Sequence, residues 1–433
     1  MDGMTRRDLG KVIGATGLGA ALPRMSYSDE IPDPVSARRE FDVARARRET
    51  PGCANVIHLN NAGSALTPQP VIDALHGHLR LEEEIGGYEA ADAASTQRSG
   101  TYRAIAKLLN CHPDEIAVVE NATRAWDMAF YGLALGFKQG DRILTSRAAY
   151  CSNYIAYLQA VRRTGAVIEV LPDDDHGQVD VDALAQTLAK GQVAMVGITH
   201  VPTNGGLVNP AAAIGQLTRE AEVPYLLDAC QSAGQWPLDV ETIGCDMLSA
   251  TGRKFLRGPR GTGFLYVRKD LIGQLEPPLL DVRAASWTAQ DRYEIQPTAR
   301  RFENWESYVA GGIALGVAVE YAMGWGIEAI RDRVVALADR LRAALSAIPG
   351  VTVRDLGQER CGIVTFTVEG KNPGSLRSAL KERKMNVTTS SVGSTRLDME
   401  ARGLSGLVRS SVHYYNTESE LDQFVAVVTE LAG

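Results

Sequence analysis

Short β-branched runs at 116–119, 142–145, 167–171, 193–199, 225–227 and 264–267 alternate with longer amphipathic stretches such as 154–163, 181–189 and 211–222. A short apolar run reads as a buried strand, whereas the stretches between are long enough to cross back over a sheet as helices. Alternation of this kind predicts an open α/β sheet of parallel strands with crossover helices. Ligands of such sheets lie at the carboxyl ends of strands, in the strand-to-helix loops. Around 309–346 the pattern changes to a long helical stretch broken at Gly324-Trp325-Gly326. Beyond it come a strand at 361–368, a helix near 375–383, a strand around 407–412 and a last helix. Thr417-Glu418-Ser419-Glu420 is a capping box for that last helix. This tail predicts a smaller α+β domain.

Composition removes several function classes. Of 433 residues, 45% are hydrophobic and 22% charged, which excludes a disordered or fibrous chain. No apolar run reaches the ~18 residues of a spanning helix, so no membrane embedding is expected. A net charge of -7 argues against a general nucleic-acid binder. The six cysteines form no CxxC and no zinc spacing with the seven histidines, so no metal site is expected. Free buried thiols are the expectation. Thr5-Arg6-Arg7-Asp8-Leu9-Gly10-Lys11 precedes a weakly apolar stretch at 12–22, and 1–35 reads as a twin-arginine leader or a disordered tail. Localisation is accordingly either cytoplasmic or exported.

The loops carry the chemistry. Tyr225-Leu226-Leu227-Asp228 ends a buried apolar strand on an acid, and Lys254 follows 26 residues later. Lys254 lies between a small-residue turn, Ser249-Ala250-Thr251-Gly252, and the Gly/Pro-rich return Gly258-Pro259-Arg260-Gly261-Thr262-Gly263. Pyridoxal 5'-phosphate needs this set: a lysine for the Schiff base and a carboxylate, Asp228, against the pyridine nitrogen. Thr251 and Arg253, a hydroxyl and a cation beside the lysine, suit its phosphate. Taken singly, Asp228 is a helix cap and Lys254 a solvated turn residue. The ordered set after an apolar strand decides for the cofactor.

With these motifs the chain resembles the class V aminotransferase family, the fold-type-I pyridoxal enzymes that include cysteine desulfurases and isopenicillin N epimerase. The resemblance covers roughly residues 55–430, nearly the whole chain after the leader. It implies a large cofactor domain with a mostly parallel mixed sheet at 58–308, and a linking helix with a small α+β domain at 309–433. An arm at 36–57 would pack with the small domain, and two copies would form a homodimer with sites at the subunit interface.

Residue by residue, His58-Leu59-Asn60-Asn61-Ala62-Gly63 resembles the opening strand and turn, which makes Asn61 a substrate-binding candidate. Asn121-Ala122-Thr123-Arg124-Ala125-Trp126 resembles the phosphate loop, with backbone N–H groups of Ala122 and Thr123 at a helix N-terminus. Tyr150 takes the place of the aromatic ring over the cofactor, a histidine in desulfurases. Thr203 and Gln231 fall where the family contacts the phenolic oxygen of the cofactor, with Asn204 a neighbouring candidate and His200 ordering the loop. Arg409, in Leu407-Val408-Arg409-Ser410-Ser411, matches the carboxylate-binding arginine. Glu306 replaces a threonine that reaches the neighbouring subunit's phosphate. An acid there would repel the phosphate, and a pairing with Arg253 or Arg301 is the alternative.

One absence constrains the reaction. Desulfurases carry a thiol on a loop before the carboxylate arginine, and here 386–394 holds none. The remaining chemistry acts on an amino-acid substrate: Lys254 forms the Schiff base and then removes the α-proton. The expected outcome is C–S lyase action, β-elimination from a cysteine-derived substrate. An epimerase, with Tyr150 as second acid/base, and an aminotransferase are the alternatives. An inactive cofactor-binding relative is the reading outside catalysis.

Overall fold

Seven strands build the main sheet, one more than the alternation predicts. They are β1 (Ile116–Val119), β2 (Arg142–Thr145), β3 (Val167–Val170), β4 (Val193–Thr199), β5 (Tyr225–Asp228), β6 (Met247–Thr251) and β7 (Gly263–Val267). Their order across the sheet is β1-β7-β6-β5-β4-β2-β3, and β7 alone runs antiparallel to its neighbours. The computed structural model describes residues 41–433, so the predicted leader at 1–35 and the start of the arm lie outside the described residues. The added strand, β6, corrects the turn expected at Ser249-Ala250-Thr251. Ser249 and Ala250 are weak strand formers, yet pairing with β7 along the whole segment, and with β5 as far as Ser249, holds it extended and buried.

Helices cover the sheet. Among them are α1 (Gln69–Ile85), α2 (Ser95–Leu109), α3 (Ala122–Ala134) after β1 and α4 (Cys151–Thr164) after β2. Further along the chain, α5 (Val309–Trp325) and α6 (Ile327–Ser346) meet at 77°. The break falls at Gly326, whose φ of +82° suits glycine and no residue with a Cβ. The apolar α5 is buried along most of its length, packed against α1 and α2. Among the described residues no single helix is long and apolar enough to cross a membrane.

The second sheet is antiparallel: β8 (Val351–Val353), β9 (Ile363–Val368), β10 (Thr388–Ser391) and β11 (Gly406–Ser411), in the order β8-β9-β11-β10. It is closed by α7 (Glu418–Ala432), which the predicted capping box of Thr417 and Glu420 opens. Thr388–Ser391, read from the sequence as part of a loop, is an edge strand because its backbone pairs with β11.

Near the N-terminus, Ile57–His58 pairs with Met385–Asn386 and Asn60 bridges to Ser411, so this turn is anchored on the second sheet. Ahead of it, Phe41 stacks on Trp325 at 4.9 Å between ring centres, and Arg47 donates to Tyr415 O and Glu420 Oε1 at 3.1 and 2.7 Å.

The loop that carries Lys254 rests on a glycine. Gly234 has φ +95°, and a Cβ there would collide with the backbone of Phe255 and Leu256. Gly234→Ala is therefore expected to cost roughly 2–3 kcal/mol or more. A urea-unfolding midpoint well below that of Gly403→Ala, where a Cβ meets nothing, would bear this out; equal midpoints would contradict it.

Candidate active site

The central strands place an acid in the middle of the sheet's carboxyl edge. Thr199, Asp228 and Ser249 stand level across β4, β5 and β6. Asp228 is 4% exposed; its Oδ2 accepts from Asn153 Nδ2 at 2.9 Å and its Oδ1 from the Cys230 amide at 2.9 Å. Burial pushes its carboxyl above the usual range, while those two donors and the Lys254 cation pull it back toward the charged form. Lys254 is 8% exposed, three residues past the end of β6, and its Nζ lies 3.2 Å from Cys230 Sγ. Cys230 thus sits between the acid and the amine.

Tyr150 caps α4 and its amide donates to Thr199 Oγ1 at 3.3 Å. Burial raises its phenol above the ordinary value, and the nearby thiols of Cys151 and Cys230 add to the effect. Across from it, Arg409 projects from β11 and is buried. Its Nη1 donates to both O and Oγ1 of Thr203, at 3.2 and 2.5 Å, and its Nε has no partner. Burial lowers the Arg409 guanidinium to about 10, with Tyr150 opposing the shift. An arginine so placed retains donor capacity for an anion.

At the other end of the site, Asn121 Oδ1 accepts from the Arg124 amide at 2.9 Å, capping α3. The amides of Ala122 and Thr123 donate to no acceptor within the described chain. Two free N–H groups at the start of a 13-residue helix form an anion cradle.

The family model for class-V aminotransferases matches residues 57–424. The chain belongs to the class-V aminotransferase family. A probable cysteine desulfurase of Pyrococcus abyssi is 29% identical over 89% of this chain and 96% of its own length. A probable hercynylcysteine sulfoxide lyase of Mycobacterium tuberculosis is 29% identical, over 85% of this chain and 88% of its own. Among solved structures, the apo cysteine desulfurase of Thermococcus onnurineus NA1 superposes with a TM-score of 0.84 at 24% identity, covering 92% of this chain and 99% of that one. The fold is that of these enzymes, α/β with a mostly parallel mixed sheet.

Pyridoxal 5'-phosphate is the cofactor of this class-V chain, and the donor set fits it. A buried amine, a buried carboxylate with two N–H donors, a free helix N-terminus and an aromatic ring converge at one edge of the sheet. Gln231 adds an unpartnered buried Oε1, its Nε2 being held by Ala62 O at 3.1 Å.

Other candidates are engaged within the chain. Asn61 Nδ2 donates to His58 O and Ser411 O at 3.3 and 2.7 Å, and its Oδ1 accepts from Tyr415. Its carboxamide therefore shapes the opening turn. Thr251 Oγ1 donates to Thr262 O at 3.2 Å, and Arg253 donates to Gly63 O. The pairing expected for Glu306 is absent. Arg301 donates to Gln296 O, Ile272 O and Leu275 O, Arg253 faces Gly63, and Glu306 is exposed. Three contributors carried no assigned role in the sequence reading: Asn153, Cys230 and Arg257. Asn153 sits one helical step from Tyr150, which is the signal that would have found it. Nothing local marks Arg257.

His200 is buried with Nδ1 3.0 Å from Ser232 Oγ, and its backbone amide donates to Asp228 O at 2.9 Å. This orders the loop, as expected from the sequence. Burial pushes its imidazole down to about 4, so the unfolded chain, near 6.5, binds the proton first. Stability from this group is complete above pH ~6.5 and falls as pH drops toward 4, by up to about 3 kcal/mol. Urea midpoints should drop between about pH 7.5 and pH 5. His200→Gln should flatten that dependence; an unchanged slope would assign it elsewhere.

Proposed function

We propose that this class-V enzyme is a C–S lyase that eliminates the β-substituent of a cysteine-derived amino acid. The observation that carries the reading is the placement of the buried Lys254 amine and Asp228 carboxylate on either side of Cys230, with the buried Arg409 and no thiol on 386–394. Relatives named cysteine desulfurase and hercynylcysteine sulfoxide lyase support action at a cysteine sulfur. The sequence favours elimination, because β10 and the turn after it offer hydroxyls where a persulfide acceptor would be needed.

In this reading Lys254 holds the cofactor covalently through Nζ. Asp228 would keep the ring nitrogen protonated, and Gln231 and Thr203 would stand toward the phenolic oxygen. Ala122 and Thr123 would hold the phosphate through their free amides, and Arg253 through the guanidinium nitrogens not bonded to Gly63 O, while the Thr251 hydroxyl is engaged by Thr262 O. When bound, pyridoxal phosphate supplies an electron sink for the carbanion at the substrate's α-carbon. Arg409 grips the α-carboxylate, while Asn61 shapes the turn against which the substrate lies. Once free, the Lys254 amine takes the α-proton as general base. Tyr150, its phenol kept protonated by burial, would lie against the ring and donate a proton to the departing sulfur.

Purified holoenzyme given a cysteine conjugate should release pyruvate, ammonia and the thiol-bearing fragment in equal amounts. Conversion of a keto acid to an amino acid, or inversion of the α-carbon without elimination, would replace this reading by the aminotransferase or the epimerase. Lys254→Ala should displace the cofactor's visible band and lower the activity at least ~1000-fold. Tyr150→Phe should lower kcat roughly 100- to 10,000-fold for alkyl thiolates and less for arylthiolates, which leave without a proton. A spectrum unchanged by Lys254→Ala would sink the enzyme reading altogether.

The active unit in this proposal is a homodimer. A cavity of about 1010 Å³ is lined by Tyr88, Arg98, Arg300, Trp305 and Tyr308, beside the exposed hairpin bearing Trp287 and Tyr293. Exposed aromatics so concentrated favour cover by a second chain. Sedimentation should give twice the chain mass, and Trp305→Glu should shift it toward the monomer; a monomer in the unaltered protein would refute this.

A further inference from the structure

Arg257 follows Lys254 by three residues and is 1% exposed, with its backbone in the left-handed region at φ +62°. Its amide donates to Lys254 O at 2.9 Å, closing the turn that carries the amine. The guanidinium has three acceptors in three separate parts of the chain: Nε to Leu66 O at 2.8 Å, Nη1 to Tyr414 Oη at 2.6 Å, and Nη2 to Thr50 Oγ1 at 2.5 Å. Its central carbon lies 4.5 Å from the ring centre of Tyr415, 5.1 Å from Tyr414 and 5.8 Å from Tyr321. Among the described residues no carboxylate pairs with it. A buried cation without an anion is costly, and neutral acceptors and ring faces offset the cost only where all of them are in place.

The acceptors matter for where they lie. Thr50 belongs to the arm ahead of the first strand. Leu66 follows the opening turn of Asn61 and Gly63, and its amide donates to Tyr415 Oη at 3.2 Å. Tyr414 and Tyr415 follow β11, the strand that carries Arg409, by only a few residues. Next door, His413 Nε2 donates to Phe255 O at 3.0 Å while Nδ1 accepts the Tyr414 amide at 2.9 Å, a second tie between the lysine loop and this corner. Lys254 extends from the main sheet and Arg409 from the second sheet. The guanidinium of Arg257 is the shared point to which the loop of one and the strand of the other are both fastened.

We propose that Arg257 is a positioning residue that sets the separation between the Lys254 amine and the Arg409 guanidinium, and so the placement of the substrate's α-carbon over the amine. This rests on the roles given above to Lys254 and Arg409. A catalytic base misplaced by about 1 Å loses roughly 100-fold in rate. Arg257 therefore acts through Lys254 and touches no reacting atom.

The test uses holoenzyme variants. Arg257→Lys keeps the charge and the ring contacts but cannot reach three acceptors at once, whereas Tyr414→Phe and Thr50→Val each remove a single acceptor. For Arg257→Lys the expected result is a retained cofactor band whose pH midpoint is displaced, kcat down about 10- to 100-fold, and KM for the amino acid raised as well. Tyr414→Phe and Thr50→Val should shift the same quantities in the same direction by smaller factors, and they carry the test if Arg257→Lys does not fold. Variants that lose melting temperature while kcat, KM and the cofactor band stay at wild-type values would overturn the inference and leave Arg257 a fold-stabilising cation. Failure of the underlying reading shows separately, as Arg409→Lys with an unchanged KM or Lys254→Ala with an unchanged spectrum.

Discussion

A carboxylate buried in the middle of a sheet edge sets the terms for the rest of the molecule. Asp228 is held out of water at the end of β5, where an unassisted carboxyl would take up a proton. It is kept available as an anion by an amide on its own loop, by Asn153 on α4 and by the charge of Lys254. Each donor comes from a different element. The register of β4, β5 and β6, the start of α4 and the return after β6 must all be right at once for that charge to exist. The neutral, buried His200 belongs to the same arrangement, because its amide takes the carbonyl of Asp228 and its ring fastens the loop beneath.

The second sheet contributes by facing the first. Arg409 reaches across from β11 and is received by both oxygens of Thr203, a residue on the loop after β4. The opening turn at 58–66 is stitched to the second sheet through Asn61, Ser411 and Tyr415, and to the lysine loop through Arg253 and Arg257. Side chains thus tie backbone from both sheets together around the site. Glycines serve the same closeness: Gly234 lets backbone of the 229–236 turn lie directly against Phe255 and Leu256.

The sequence made much of this legible where a signal is local. The boundaries of β1, β2 and β4, the helix break at Gly326 and the capping box of α7 follow from runs, glycine and cap residues that act within a few positions. The strand at Met247–Thr251 did not, because small residues are held extended there only by neighbours on both sides. The edge strand Thr388–Ser391 escaped because it is held extended by pairing with β11 on one side, a contact its own residues do not announce. Within the site, Asp228, Lys254, Tyr150 and Arg409 were found as residue types in order along the chain. Thr203 was placed on the cofactor, and the structure adds its hold on Arg409. The pairing sought for Glu306 failed because the guanidiniums of Arg253 and Arg301 had nearer carbonyls to satisfy.

By itself, the sequence determined the α/β class, the order of Asp228, Lys254 and Arg409 along the chain, and the lack of a thiol on 386–394. Those are properties of residue type and spacing, which a linear chain carries without folding. Only the tertiary structure decided what each polar side chain is engaged with. Asn61 and Asn153 are both asparagines near the site, yet one shapes a turn and the other sustains the charge of Asp228. Arg257 looks like any surface arginine in a Gly/Pro-rich loop and is instead the buried fastening between two sheets' loops. The reason is that a hydrogen bond or a desolvated charge depends on partners hundreds of residues away in the chain, and folding alone brings them within 3 Å.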